Sequence, residues 1–175
     1  MIISVEKSFG GLARPHGLAK IKRLFGDIDR YIIRTEKGTR LDPAFEKRYI
    51  CRVKLPSPLL VAGQPGTFAL HVSCHELLAG KLGAAFNRIS ADGQYSYLKS
   101  YGGCFNFRRK RNERGLSTHC WGIAVDLNPE TNLPGTKGDI NLEIVRIFKE
   151  SGFTWGGDWP GSRKDPMHFQ YCTGY

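Results

Sequence analysis

Apolar positions along the chain fall into short periodic runs divided by glycine and proline. Residues 18–25, LAKIKRLF, alternate apolar and basic side chains at helical spacing, and Gly26 follows as a stop. Between residues 69 and 89, Leu70, Cys74, Leu77, Leu78, Leu82, Ala85, Phe86 and Ile89 recur at three and four, which predicts the strongest helix of the chain. Residues 139–151 predict a shorter one, with Ile140, Ile144, Ile147 and Phe148 in one stripe and Gly152 at its end. Residues 31–34 and 49–54 are β-like. Pro56, Pro58 and Pro65 then predict a loop. Around Ile123, Val125 and Leu127 the chain is apolar on both faces, as in a buried strand. Residues 167–171, MHFQY, predict a final strand. Helices come early and short strands late, an order that predicts an α+β fold rather than a regular βαβ wind.

Length and composition narrow this picture. A chain of 175 residues fits one domain, 1–175, with residues 67–175 as its central part and 1–66 as an N-terminal part. No run approaches the ~20 apolar residues of a membrane helix, so no transmembrane segment is expected. The start, MIISVEKSFGG, has no basic opening, long apolar run or small-residue cleavage site, and is not expected to act as a secretory signal. A site of action outside the cytoplasm would then need release by a holin, by lysis or by a dedicated machine. The 26 basic residues exceed the 16 acidic ones, giving +10 and favouring a polyanionic partner: nucleic acid, or anionic bacterial cell wall. No helix-turn-helix, zinc-finger or RNA-recognition pattern is present, so no specific nucleic acid is expected. The five cysteines are odd in number and form no CxxC pair, so they read as small buried apolar residues rather than a disulfide framework.

Candidate chemistry lies in the last third. A carboxylate inside a buried strand costs several kcal/mol unless something pairs it, so Asp126 needs a cation. Gly122 lets the chain turn and bring His119 back to the same point. In the final strand His168 and Gln170 alternate with Met167 and Phe169. Two histidines and a carboxylate make a three-ligand zinc site whose fourth position is left for water, the pattern of a catalytic site. Asp165, three residues before His168 and stiffened by Pro166, is placed to act as the base. Arg108 or Arg111, in the basic run FRRKRNER, could stabilise an oxyanion.

Residues 117–126 read SxHxxGxAxD: Ser117, His119, Gly122, Ala124, Asp126. With Asp165-Pro166-Met167-His168-Phe169, this resembles the LAS metallopeptidases, the family of D-Ala-D-Ala carboxypeptidases and phage endolysins. Gly156-Gly157-Asp158-Trp159 and residues 103–108, GCFNFR, look like the same family, over about residues 68–172. Residues 17–26 are similar to the N-terminal part of its endolysin branch. The resemblance implies a Hedgehog/DD-peptidase-like fold, with a small antiparallel sheet carrying the zinc site and helices flanking it. It implies one zinc ion on His119, Asp126 and His168, Asp165 as general base and acid, and Arg108 on the substrate carbonyl, with Arg111 nearby. Ser117 would lie near the metal or substrate, and Trp155 and Trp159 would wall the cleft. The substrate would be a peptidoglycan stem peptide, cut by a monomer between L-Ala and D-Glu as in endolysins. The alternatives are a D-alanyl-D-alanine carboxypeptidase, or a non-catalytic zinc-containing Hedgehog-like binding module. Many carboxypeptidase members have Glu at the position of Asp165, and some endolysins have Asp, so this position marks a subfamily.

Other features read as structural. His71 and His75 lie four apart, but no HExxH pattern exists. His16 is expected to face solvent. Cys120 is expected to point away from its neighbour His119. Asp158 reads as a turn residue or as a partner of a ligand histidine.

Overall fold

The computed structural model describes residues 11–36, 38–110 and 115–175. In chain order the elements are α1 (Leu18–Phe25), β1 (Ile32–Thr35), β2 (Gly38–Leu41), α2 (Pro43–Tyr49), β3 (Ile50–Val61) and β4 (Phe68–His75). Then come α3 (Ala79–Ala91), β5 (Ser100–Gly103), β6 (Ala124–Leu127), α4 (Leu142–Glu150), β7 (Thr154–Trp155) and β8 (His168–Gln170). β1 and β2 form a separate antiparallel hairpin, and the other six strands form one sheet in the order β4-β3-β5-β6-β8-β7. Within it β3 and β5 run parallel, and the other neighbours are antiparallel. The α+β class therefore holds. The histidine–carboxylate cluster, however, sits in this larger mixed sheet and not in a small antiparallel one.

Two expectations about elements are corrected. Residues 68–75 are a strand, not the start of a long helix. Helix α3 begins only at Ala79, after a 3-10 turn over Glu76–Leu78. Leu70 and Cys74 fit a helical period and also the alternation Leu70, Val72, Cys74, and pairing with β3 from Ile50↔His75 to Leu60↔Phe68 decides between the two. The long strands β3 and β4 also come early, so the order of helices then strands does not hold. Pro56 and Pro58 lie inside β3 rather than in a loop. The register to β4 shifts between Lys54 and Leu59, where two residues without an N–H cost the ladder least. Helices α1 and α4 form where the spacing predicts them, and the Asn141 side-chain oxygen Oδ1 accepts the Glu143 N–H at 2.8 Å to cap α4.

The core lies between the sheet and the pair α3–α4. Phe86 of α3 meets Phe148 of α4 edge-on at 5.8 Å, and Phe148 stacks on Phe169 of β8 at 4.5 Å. Phe169 faces Val125 across the β6–β8 ladder, and Asp126 faces His168. Successive strand residues point to opposite faces. Burying Phe169 and Val125 against α4 therefore sends Asp126, His168 and Gln170 to the other face. On that side α1 and α2 close around His75 and Trp121: Phe25 lies 4.9 Å from His75, and the Trp121 indole N–H donates to the Gly26 carbonyl at 2.9 Å. Among the described residues no helix is long and apolar enough to cross a membrane. Four cysteines, Cys74, Cys104, Cys120 and Cys172, are buried, Cys51 is half-buried, and all five are free thiols.

Candidate metal centre and cleft

Two local devices bring the three donors together. The first is the register Asp126↔His168, which puts both side chains on one face of neighbouring strands. The second is a 3-10 turn over Thr118–Trp121, capped by the Ser117 hydroxyl, which accepts the His119 N–H at 3.4 Å. Gly122 ends that turn in the left-handed region at φ 65°, and a Cβ there would lie 2.9 Å from the His75 nitrogen. The chain can double back only with glycine at this point, and the return places His119 over Asp126.

The donor atoms are His119 Nε2, Asp126 Oδ1 and His168 Nδ1. They are separated by 3.2 Å (His119–Asp126), 3.3 Å (His119–His168) and 2.8 Å (His168–Asp126). A tetrahedral ion with ligands at ~2.0–2.1 Å has edges of about 3.3 Å, so the triangle is of the right size. The outer ring nitrogens have acceptors of their own. His119 Nδ1–H donates to the Cys104 carbonyl at 2.7 Å, and His168 Nε2–H donates to Gln170 Oε1 at 3.1 Å. Each hydrogen bond fixes the tautomer, so both inner nitrogens turn a lone pair towards a carboxylate oxygen. Three lone pairs at these separations need a cation between them. All three residues are buried, with Asp126 only 8% exposed, so bulk water screens the cluster little.

The electrostatics agree. Burial alone would push the Asp126 carboxyl up, but the charges and hydrogen bonds of His119 and His168 outweigh it and hold the group well below the usual carboxylate range. Burial disfavours a charged His168, but the Asp126 carboxylate more than offsets this and raises the imidazole, with Asp165 adding to the effect. A site that holds a proton in this way also attracts a metal ion, which takes the proton's place. His119, Asp126 and His168 could together hold one metal ion.

A cleft of about 900 Å³ opens over this cluster. Asp126, His168, Asp165, Arg108, Ser117 and Trp159 all line it. Asp165 begins a tight turn in which its carbonyl accepts the His168 N–H at 3.0 Å, with Pro166 at the second position. The Gly156 carbonyl accepts both the Asp165 N–H at 2.9 Å and the Trp159 N–H at 3.1 Å. A Cβ at Gly156 would stand 2.4 Å from the Asp165 oxygen, so this close approach needs glycine. Arg108 reaches across the cleft to 3.8 Å from Asp126 Oδ2. The Trp159 ring lies 5.5 Å from His168.

Trp155 differs from its expected place. It is not among the side chains that line the cleft. Its indole N–H donates to the Pro166 carbonyl at 2.8 Å, so it braces the Asp165 turn from behind. Asp158 is neither a partner of the histidines nor buried; it pairs with Lys149 at 2.7 Å. Arg111 lies outside the described residues. His71 accepts from Arg52 at 3.2 Å on a strand far from the cluster, and His16 is exposed, bonded to the Thr173 hydroxyl at 3.0 Å. Three contributors were missed. Gln170 and Thr118 bracket His168, and Cys120 clamps Arg108: its thiol accepts the Arg108 N–H at 3.2 Å and donates to the Arg108 carbonyl at 2.9 Å. Gln170 could have been found from its place two residues after His168 on the same strand face. Nothing in the sequence marks Cys120, whose partner is a main chain.

These features define a metallopeptidase-like centre: two histidines, one carboxylate, an acid–base candidate and a cation around one cleft. Residues 110–171 match the model of the D-alanyl-D-alanine carboxypeptidase family, which supports the LAS-type zinc metallopeptidase resemblance. The match supports a metallopeptidase and implies a peptidoglycan-related substrate.

Proposed function

We propose that this chain is a zinc-dependent peptidoglycan hydrolase of Hedgehog/DD-peptidase-like fold that cuts stem peptides, acting as an L-alanyl-D-glutamate endopeptidase of endolysin type. The observation that carries this reading is the convergence of three buried lone pairs, from His119, Asp126 and His168, two of whose residues, Asp126 and His168, line a cleft together with Asp165 and Arg108. Zinc, when held there, supplies Lewis acidity to the scissile carbonyl and to an attacking water. Asp165 then takes a proton from that water and passes it to the leaving amine. The Arg108 guanidinium faces the charge that develops on the carbonyl oxygen. Trp159 and Ser117 contact the peptide along the cleft. The +10 charge favours attachment to an anionic wall, reached by a monomer after release through a holin, lysis or secretion.

A second reading, removal of a terminal D-Ala, is favoured by the description of the matched family. A binding module of Hedgehog type would have no use for an acid–base group in the cleft beside the metal ligands. The test is digestion of purified sacculi by the zinc-loaded protein, followed by mass spectrometry of the products. Release of whole stem peptides with new amino groups is expected. Loss of a single Ala would transfer the assignment to the carboxypeptidase, and no release from folded, zinc-loaded protein would end the hydrolase reading. Asp165→Asn should lower turnover by at least about a hundredfold while zinc stays bound.

A further inference from the structure

Beside the cleft lies a second cavity of about 460 Å³, and Arg108 and Tyr175 line both. Tyr175 stands in the partition, its hydroxyl donating to the Leu116 carbonyl at 2.7 Å and its ring lying edge-on to Trp121 at 6.2 Å. Leu18, Ile32, Phe107 and Trp121 give the second cavity an apolar part of its lining. Lys22, Arg34, Arg108, Arg109 and the carboxylate of Asp29 also line it. Lys22 pairs with Asp27 and Asp29, and Arg108 faces Asp126. Arg34 projects from β1 with no ion-pair partner among the described residues, and its cross-strand neighbour Thr39 lines the same cavity. Lys22, Arg34, Asp29 and Thr39 all come from residues 18–41, outside the matched segment 110–171.

We propose that this cavity is an anion subsite, built by the N-terminal segment, that receives a carboxylate-bearing arm of the same peptide whose scissile bond lies over His119, Asp126 and His168. The inference rests on the hydrolase reading for its substrate. Three features set the ligand's chemistry. The Arg34 guanidinium selects a negative group and suits a planar carboxylate. The apolar part of the lining suits the aliphatic part of a peptide side chain. The shared wall at Arg108 and Tyr175 means that one extended ligand can occupy both cavities. The N-terminal hairpin then chooses among peptides by charge and takes no part in bond cleavage.

The test uses two synthetic peptides, L-Ala-D-Glu-L-Lys-D-Ala and the same peptide with its carboxylates amidated. Affinity is read by calorimetry on the full-length, zinc-loaded Asp165→Asn protein, and turnover on the zinc-loaded unsubstituted protein. The acid peptide is expected to bind about tenfold more tightly than the amide. Arg34→Glu should abolish that preference by weakening the acid peptide alone. Thr39→Glu, which brings a negative charge in from the paired strand, should do the same and serves if Arg34→Glu fails to fold. Equal affinity for acid and amide, or a preference untouched by both folded variants, overturns the subsite. A preference that these variants erase, in a protein that cuts neither peptide, upholds the subsite and removes the hydrolase reading. Cleavage of both peptides with equal affinity does the reverse.

Discussion

Gln170 takes the His168 Nε2–H on its side-chain oxygen at 3.1 Å and the Thr118 hydroxyl on the same oxygen at 3.2 Å. Its own amide donates to the Cys172 carbonyl at 3.5 Å and the Tyr175 carbonyl at 3.4 Å, so the group cannot flip without losing all four contacts. A ring whose outer N–H is held in this way keeps its inner nitrogen aimed at the metal position. Gln170→Leu preserves the bulk and removes the acceptor. It should weaken metal affinity by about 10–100-fold, read by competition with a chromogenic chelator. Gln170→Glu, which restores an acceptor, should recover most of that loss. Unchanged affinity in the Leu variant would show that His168 needs no such support. Cys120 acts one step further out, holding the main chain from which Arg108 projects. Burial pushes its thiol up, so it serves as a neutral hydrogen-bonding group and not as a thiolate ligand.

His75, at the end of β4, shows how an element can depend on one proton. Its Nδ1 accepts the Leu77 N–H at 3.2 Å, and its Nε2–H donates to the Phe25 carbonyl at 3.2 Å. The neutral ring thus satisfies both partners. A second proton would oppose the Leu77 N–H in a site that is 1% exposed, and burial lowers the pKa to about 4 despite the help of Phe25. The unfolded chain takes up this proton near its ordinary value of 6.5, the folded one only near 4. Between these values the unfolded state binds more protons, so this stability is complete above about 6.5 and is lost as pH falls towards 4. The loss is on the order of 3 kcal/mol. His75→Gln should flatten that part of the stability–pH profile in urea titrations, and an unchanged slope would assign it to other groups.

The elements were legible in the sequence to different degrees. Helices α1 and α4 were readable because each has one apolar stripe and a glycine stop. Strand β4 was not, because residues spaced at four also lie at an even spacing, and only the partner strand separates the two patterns. The full length of β3 was hidden by Pro56 and Pro58, since a sequence does not show where a ladder tolerates missing donors. The donor triad was readable because a carboxylate in an apolar strand calls for a cation whatever the fold. The roles of Trp155, Asp158 and Cys120 depend on main-chain partners or on distant residues, and so appear only in three dimensions.

At the scale of the molecule, a metal ion held by His119, Asp126 and His168 would tie the middle of the sheet to the turn that carries Gly122 and so to the N-terminal helices. An ion that binds only the folded chain stabilises it by about 4 kcal/mol at a free concentration a thousandfold above its Kd. In a chain of this size that corresponds to a fall in Tm of roughly 8–16 °C on removal by a chelator, read by scanning calorimetry. A Tm unmoved by chelation and by added zinc would exclude a metal at this position. The same experiment on His119→Ala should show the lower Tm at the outset and little further response to the chelator.

The register Asp126↔His168 has a consequence for how such a protein can change over time. Residues 127–167 connect the two donor strands by way of α4 and the edge strand β7, and the connection is closed at its base by the Leu127 N–H donating to the Met167 carbonyl at 2.9 Å. Outside α4 and β7 it is irregular chain, residues 128–141 and 156–167, and doubling the length of a flexible loop costs only about 0.6 kcal/mol. Pro134, Trp159, Ser162 and Arg163, on the rim of the cleft, all belong to these two stretches. Insertions and deletions there can reshape what the cleft admits while the neck keeps the donors in step. Selection can therefore act on recognition and on chemistry separately, within one short stretch of chain.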